Sequence, residues 1–267
     1  MIKSNRTIVN FLYENTHLLD AGRVDEFVDG MNQLTSTRDI GTIYEMLRKA
    51  NIDILFHIDN VPEYYCYHDD EIESIVIPSN IKRIDDRAFC VCKNLKSITI
   101  PEGVENISSL SFCQLPDLSR LSLPSTLKTL GPMNTLKAIK ELTLPKYVEL
   151  TCQGAPAVIY CDNLETFRFN YHDKLIPHRR DPQGLLEECP NLKTIEYLEG
   201  TTAAFKVWGR NCANNRKKDL YLARSVEYID AKLTYQDKLY MFHVYKDSKA
   251  DKLLKQEHPE CKVVYRD

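Results

Sequence analysis

The chain has 267 residues, of which 43% are hydrophobic and 27% charged, and its formal net charge is −3. This composition is ordinary for a folded soluble protein, and the charge is too close to neutral to indicate a dedicated nucleic-acid-binding protein. No apolar run approaches the ~20 residues of a membrane-spanning helix, and the first residues lack the pattern of a secretory signal. We therefore expect a cytoplasmic protein that does not bind a membrane.

The cysteine pattern favours free thiols. The nine cysteines are scattered along the chain, whereas disulfide frameworks are typical of short, cysteine-dense secreted proteins. Cys90 and Cys92 are separated by one residue, which is too few for the usual zinc pair. No nucleotide-binding or nucleophile motif occurs, so we expect neither a cofactor nor an enzymatic activity.

Residues 1–71 form a first unit with its own charge. They contain six Lys and Arg against thirteen Asp and Glu, and the remaining residues contain 29 against 25. Three segments within 1–58 place apolar residues at helical spacing, which predicts three short helices. The aromatic stretch with Tyr64, Tyr65 and Tyr67 leads directly into the next unit. We assign 1–71 to an N-terminal helical cap, because a stacked repeat array must cover the open end of its core.

Residues 72–245 contain an internal repeat. Ile75-x-Ile77-Pro78 returns 23 residues later as Ile98-x-Ile100-Pro101, and the apolar-x-apolar element continues down the chain at steps of 21 to 28 residues. The eight elements are Ile75/Ile77, Ile98/Ile100, Leu121/Leu123, Leu142/Leu144, Phe167/Phe169, Ile195/Tyr197, Leu220/Leu222 and Phe242/Val244. A period-2 element at this interval predicts a solenoid with one short parallel strand per coil.

Residues 246–267 are predicted to close the array. The pattern indicates a helix over Ser248–Gln256 and a last strand over Lys262–Tyr265. Leu253 and Leu254 can cover the last coil, so this unit is expected to be a C-terminal helix-strand cap. The predicted fold is therefore an α/β solenoid between a helical and a helix-strand cap.

The repeat resembles the BspA-like class of leucine-rich repeats. The residues that carry the resemblance are Ile77-Pro78, Ala88-Phe89 and Cys92-x-x-Leu95, followed by Ile100-Pro101 and Phe112. The segment before the repeats is similar to the helical leader of related bacteriophage and other bacterial mobile-element proteins. The resemblance implies a curved solenoid whose concave parallel sheet binds proteins, and it implies no catalytic residues.

The outward positions of the predicted strands are the first candidate binding site. Side chains alternate between the faces of a strand, and neighbouring parallel strands lie ~4.8 Å apart, so these positions form a ladder. The later coils contribute Arg168, Glu196, Tyr221 and His243. Tyr and Arg are enriched at binding hot spots, which favours this half of the ladder as a contact region. A merely solvated sheet face is the equally weighted alternative.

Two insertions supply the second candidate site. They lengthen the coils after Phe169 and Tyr197, and insertions in solenoids form loops that often lie on the binding side. Their candidate contact residues are Arg179, Arg180, Trp208, Arg210, Arg216 and Lys217. Basic residues mixed with aromatic ones suit an acidic protein surface first and a single-stranded nucleic acid second. Plain solvated loops rank level with the acidic protein surface.

These observations predict a non-enzymatic protein that binds another protein through the concave sheet face and the inserted loops. If the gene is phage-borne, the partner is expected to be a host protein. The alternatives are an extracellular adhesin-type repeat protein and a nucleic-acid binder that uses the basic loops.

Overall fold

The structure is a computed structural model. It describes residues 41, 43–45, 47–48, 53–152, 155–172, 175, 184–212, 217–234 and 239–267. The first two predicted helices lie outside these residues. In the third predicted helical segment, the described residues 41, 43–45, 47 and 48 are helical, and Ile43, Tyr44 and Leu47 are buried as their spacing predicts.

The predicted strands lie in two parallel sheets. The three-stranded sheet contains β2 (Ser74–Val76), β4 (Ser97–Thr99) and β6 (Arg120–Leu121). The six-stranded sheet contains β9 (Glu141–Thr143), β12 (Thr166–Phe169), β14 (Thr194–Tyr197), β16 (Lys218–Leu222), β18 (Tyr240–Tyr245) and β19 (Lys262–Arg266). Every pairing in both sheets is parallel.

The predicted register is confirmed within each sheet. Ile75 pairs with Ile98, which pairs with Leu121. The series Leu142, Phe167, Ile195, Leu220 and Phe242 is paired in the same way in the six-stranded sheet. These side chains point inward because alternate residues of a strand face opposite sides. The expected continuous array is wrong at one step, since β6 and β9 are not paired.

The coils contain more strands than the one per coil that the sequence predicts. A five-stranded sheet joins β1 (Asn60–Val61), β3 (Arg83–Ile84), β5 (Asn106–Ile107), β7 (Thr129–Leu130) and β10 (Glu149–Leu150). A second three-stranded sheet joins β8 (Met133–Asn134), β11 (Val158–Ile159) and β13 (Leu186–Glu187). A two-stranded sheet joins β15 (Ala203–Ala204) and β17 (Tyr228–Ile229). The molecule is thus a parallel-strand solenoid of about eight turns.

The repeat stack starts before the predicted boundary at residue 72. A 3-10 helix, Ile54–Phe56, leads into β1, and β1 pairs in parallel with β3. The Lys82 N–H donates to Asp59 O at 2.6 Å, and the equivalent bond recurs one coil later from Glu105 to Lys82. The signal was present in the sequence, because Ile58 and Val61 occupy the same columns as Ile81 and Ile84. Part of the segment assigned to the cap is therefore a coil.

The C-terminal elements continue the six-stranded sheet. The predicted helix is present as α2 (Lys249–Glu257), and the hydroxyl of Ser248 accepts from the Asp251 N–H at its start. A short helix, α1 (Ala231–Thr234), precedes β18. β19 contains the predicted last strand and pairs in parallel with β18 over its whole length. Among the described residues, no helix is both long enough and apolar enough to cross a membrane.

Candidate functional site

The outward face of the six-stranded sheet brings the predicted contact residues together. Arg168 lies beside Glu196, Glu196 beside Tyr221, and Tyr221 beside His243 in the strand register. All four side chains are partly exposed, while the residues directly before and after each of them in its strand are buried. We call the following side chains the sheet-face cluster: Glu141, Arg168, Glu196, Asp219, Tyr221, His243, Tyr245 and Arg266.

The charged half of the sheet-face cluster is a chain of ion pairs. The Arg168 guanidinium donates to Glu141 at 2.7 Å and to Glu196 at 3.0 Å. Arg266 approaches the other carboxylate oxygen of Glu196 at 3.3 Å. The hydrogen bond to Glu141, together with Glu196, raises the pKa of Arg168 above its ordinary value. Each charge on this half of the face is therefore matched by a neighbour.

The aromatic half of the sheet-face cluster is stacked. The rings of Tyr221 and His243 are nearly parallel, with their centroids 4.1 Å apart. His243 Nε2 lies 2.7 Å from Asp219 Oδ1, which fixes the orientation of the imidazole. Arg266 lies over both tyrosines, 5.2 Å from the Tyr221 ring centroid and 4.9 Å from that of Tyr245. The result is a preformed surface of flat rings and a guanidinium, the residue types that dominate protein-binding hot spots.

The sequence interpretation missed Arg266 and Tyr245. Tyr245 lies two residues after His243 and shares its face of β18. Arg266 pairs with Tyr245 across the last two strands, so it reaches the cluster only because β19 joins the sheet in parallel. Alternation along β18 could have identified Tyr245, whereas Arg266 required a last strand one residue longer than predicted, together with its neighbour and direction.

The inserted loops are described only in part. Arg179, Arg180 and Arg216 lie outside the described residues. Lys217 is exposed. The Arg210 guanidinium is largely exposed and donates to Glu188 at 3.0 Å, so its charge is already matched. The structure does not join these loops into one basic surface within the residues it describes.

Trp208 does not serve as an exposed contact residue, which corrects the sequence expectation. Its side chain is fully buried, and its ring packs edge-to-face on Tyr240 with centroids 5.4 Å apart. Trp208 also forms a parallel bridge with Leu186, which extends the β8–β11–β13 sheet by one coil. A residue buried in this way stabilises the fold and cannot touch a partner.

A second feature of the surface lies between the two sheets. In most coils, the residue just before the strand donates a backbone hydrogen bond to the equivalent carbonyl of the preceding coil. The Lys96 N–H donates to Glu73 O at 2.8 Å, and the Ser119 N–H donates to Lys96 O at 3.3 Å. The same bond joins the Glu165 N–H to Lys140 O at 2.8 Å, and it recurs in the next coil. The step from Lys140 to Ser119 is missing, and no backbone hydrogen bond joins described residues 119–123 to 139–144. We call the space between β6 and β9 the strand gap.

The strand gap is a cleft with a volume of about 820 Å³. Leu121, Leu123 and Leu144 contribute apolar surface, and most of the other lining side chains are polar or charged. The gap coincides with the shortest coil, which has 21 residues between Leu121 and Leu142. In that coil Gly131 lies so close to the preceding coil that an added Cβ would be 2.5 Å from Ser108 O.

The cysteines are buried, and two of them are paired. Cys90 and Cys113 of adjacent coils form a disulfide with their Cα atoms 4.8 Å apart, which corrects the expectation of free thiols throughout. The other seven cysteines are buried as well. A hydrogen bond with Cys161 raises the pKa of Cys189 to about 12, so Cys189 is a poor nucleophile at neutral pH. In the described part of the chain, no three His, Cys, Asp or Glu side chains are arranged to hold a metal ion.

Comparison with protein families agrees with this geometry. The family model described as "BspA type Leucine rich repeat region (6 copies)" matches residues 59–180. This part of the chain therefore consists of repeats of the BspA leucine-rich type. The match begins at the coil that contains β1, in agreement with the early start of the stack. Repeats of this family favour a protein-interaction or adhesin-like module, and leucine-rich repeat proteins are typically not enzymes.

Two solved structures are distantly similar. The pneumococcal vaccine antigen PcpA is 16% identical with a TM-score of 0.42, and the match covers 77% of this chain and 43% of that chain. A leucine-rich repeat protein from Bacteroides ovatus is 13% identical with a TM-score of 0.34, and the match covers 79% of this chain and 88% of that one. Both likenesses are too distant to carry an argument. A comparison with curated proteins finds no match.

Proposed function

We propose that the chain is a non-enzymatic module that binds another protein through the sheet-face cluster. The observation that carries the proposal is the alignment of Tyr221, His243, Tyr245 and Arg266 on one exposed sheet face. Their rings and guanidinium hold one another in place, so little side-chain entropy is lost when a partner contacts them. The neighbouring ion pairs of Arg168 and Glu196 favour a partner surface that has both positive and negative groups.

The test is affinity capture by the tagged full chain from its native host, followed by mass spectrometry. The double variant Tyr221→Ala/Arg266→Ala removes one ring and the guanidinium that covers it, and should reduce recovery of the partner at least tenfold, since hot-spot truncations cost on the order of 2 kcal/mol each. The control is Tyr228→Ala, because Tyr228 is 50% exposed but lies on β17 in another sheet. Equal recovery with both variants would remove the cluster from the model.

The inserted loops are proposed as a secondary contact with an acidic protein surface. Charge reversal at Arg179, Arg180, Arg216 and Lys217 should weaken capture of the same partner. The nucleic-acid alternative predicts a different result: the full chain would shift a labelled single-stranded oligonucleotide, and the shift would fall steeply with salt. Unchanged capture together with no oligonucleotide shift would leave these loops without a binding role.

The cytoplasmic location and a phage origin with a host partner remain predictions. The Cys90–Cys113 disulfide favours the second candidate, an extracellular adhesin-type module, because disulfides persist in oxidising compartments. Thiol alkylation of the protein from its native host in denaturant, with and without prior reduction, distinguishes the two. Protection of Cys90 and Cys113 until reductant is added supports the extracellular module, whereas alkylation of all nine cysteines without reductant supports the cytoplasmic one.

A further inference from the structure

The strand gap exposes the pairing edges of two strands. In the six-stranded sheet the Leu144 N–H donates to Arg168 O at 2.9 Å, and in the three-stranded sheet Ile77 donates to Thr99 at 3.0 Å. The equivalent bond from Leu123 to Thr143 is absent from the described backbone bonds, as is the bond from Glu141 to Ser119. Unpaired strand edges are templates for the backbone of another chain.

The two edges face each other and run in the same direction. β6 is the last strand of one parallel sheet and β9 is the first of the other. An extended peptide that lies parallel to both could pair on each side and join the two sheets. Its alternate side chains would point toward the apolar surface of Leu121 and Leu144, and the others would point outward.

The charges that line the cleft indicate which peptide fits. Arg120, Lys140 and Lys146 line it, and none of them has a carboxylate partner within the described residues. Of the two carboxylates in the lining, only Glu141 has a cation as its partner within the described residues. Glu141 accepts from Arg168 at 2.7 Å. Glu102 accepts from the Ser125 N–H at 3.1 Å, and this hydrogen bond lowers the pKa of Glu102. In this described lining, three cations without a carboxylate partner therefore outnumber the one carboxylate without a cation partner, Glu102, and the cleft has an excess of positive charge.

We propose that the strand gap binds an extended acidic segment of a partner protein, which pairs as an added parallel strand with β6 and β9. The proposal rests on the proposed function only in that the partner is a protein, and it places this contact at the strand gap, which adjoins the sheet-face cluster at Glu141. Backbone pairing supplies affinity and the outward side chains supply specificity, as in other cases of strand addition. The acidic side chains of the segment meet Arg120 and Lys140.

The first test uses random linear dodecapeptides displayed on phage and selected on the immobilised full chain. We expect enriched sequences that alternate apolar and acidic residues. A synthetic peptide of the enriched sequence should bind the Arg120→Glu/Lys140→Glu variant at least tenfold more weakly than the wild type. Both residues are exposed and without ion-pair partners in the described residues, so the variant should fold normally.

The matched control is Lys93→Glu/Lys252→Glu, which changes the net charge equally at two exposed positions outside the cleft. It should bind the peptide as the wild type does. The proposal is overturned if no sequence is enriched over the bare support, if the selected peptides are not acidic, or if the two double variants weaken binding equally. A dimer of the full chain that only the Arg120→Glu/Lys140→Glu variant dissociates would assign the gap to a second copy and would also overturn it.

Amide hydrogen exchange on the wild-type chain tests the strand pairing itself. The N–H groups of Leu123 and Glu141 should exchange rapidly in the free chain and become at least tenfold slower when the selected peptide is saturating. The Leu144 N–H, which is already bonded to Arg168, should be protected in both states. Rapid exchange at Leu123 and Glu141 in the peptide complex would overturn pairing even if the peptide binds.

The outcome is separable from that of the proposed function. Loss of natural-partner capture with Tyr221→Ala/Arg266→Ala, with no peptide bound at the gap, would support the sheet-face cluster and overturn the gap. Selected peptides that depend on Arg120 and Lys140, with partner capture insensitive to the cluster variant, would do the reverse.

Discussion

The two sheets formed by the predicted strands differ in a way that their sequences do not suggest. The three-stranded sheet comes from the most regular repeats, yet its strands have only two or three residues and carry mostly short side chains outward. The six-stranded sheet comes from coils of uneven length, yet from β12 onward its strands have four to six residues. Regular spacing of a repeat therefore does not measure the continuity of its sheet.

The regular half of the solenoid, with the three-stranded sheet, and the irregular half, with the six-stranded sheet, also differ in how their charges are paired and in which side chains fill the core. The six-stranded sheet pairs its outward charges with one another, whereas the strand gap beside the three-stranded sheet leaves Arg120 and Lys140 uncompensated. Most of the bulky buried aromatic side chains also belong to the irregular half. They include Trp208, Tyr197, Tyr240, Phe167, Phe169 and Phe242. Irregular coils require larger side chains to fill their unequal spaces at interior density.

The largest expected effect tests this account of the irregular core. Trp208→Ala should lower the free energy of unfolding by about 4 kcal/mol, because truncation of a buried aromatic residue leaves a cavity that the coil cannot fill. Denaturant unfolding followed by circular dichroism measures it. The exposed Tyr228→Ala is the control and should cost less than about 1 kcal/mol. A loss of partner binding without a loss of stability in Trp208→Ala would restore Trp208 as a contact residue.

The register was predictable because equivalent core positions recur in every coil. Ile75, Ile98 and Leu121 repeat at a constant step, and a parallel stack is the arrangement that buries them all. The strand gap was not predictable, because Leu121 and Leu142 have the same local pattern as paired coils. Pairing depends on the path of the whole coil between them.

Candidate residues on the repeat strands could be predicted from alternation along the strand. A residue that reaches the site only through the order and direction of the strands could not. Tyr221 and His243 follow from alternation along the strands, and their stacking follows from the register. Arg266 requires the direction of the last strand. The insertion around Trp208 has no repeat column to align with, so its flanking charges suggested an exposed loop. The strands of the additional small sheets, such as β3 and β8, contain two residues each, which is too few for a periodic signal.

The next effect tests the shortened coil beside the strand gap. Gly131→Ala would place a Cβ 2.5 Å from Ser108 O and 2.6 Å from Ser109 Cα, and backbone atoms cannot move aside as a side chain can. We expect a loss of about 3 kcal/mol in the free energy of unfolding, the upper range for overpacking. Thermal and denaturant unfolding measure it.

Gly209→Ala in the irregular half is the matched control for that substitution. Its added Cβ would have its nearest atoms at 3.1 Å, one of them a flexible carboxylate oxygen of Glu187. The loss should therefore be clearly smaller than for Gly131→Ala. Equal losses would mean that the short coil is no more tightly constrained than the others, and would remove the contrast between the two halves at this point.

The smallest effect tests the contrast in charge. Arg168→Met breaks the ion pairs to Glu141 and Glu196, which leaves Glu141 without its cation and Glu196 with Arg266 alone, so it should cost about 1 kcal/mol at low salt and less as salt increases. Arg120→Met is the control at the strand gap, and it should change stability by less than about 0.5 kcal/mol because Arg120 has no ion-pair partner in the described residues. Urea unfolding at two salt concentrations measures both. If Arg120→Met costs as much as Arg168→Met, the cation at the gap is compensated within the chain, and the attraction of the gap for an acidic segment loses its electrostatic basis.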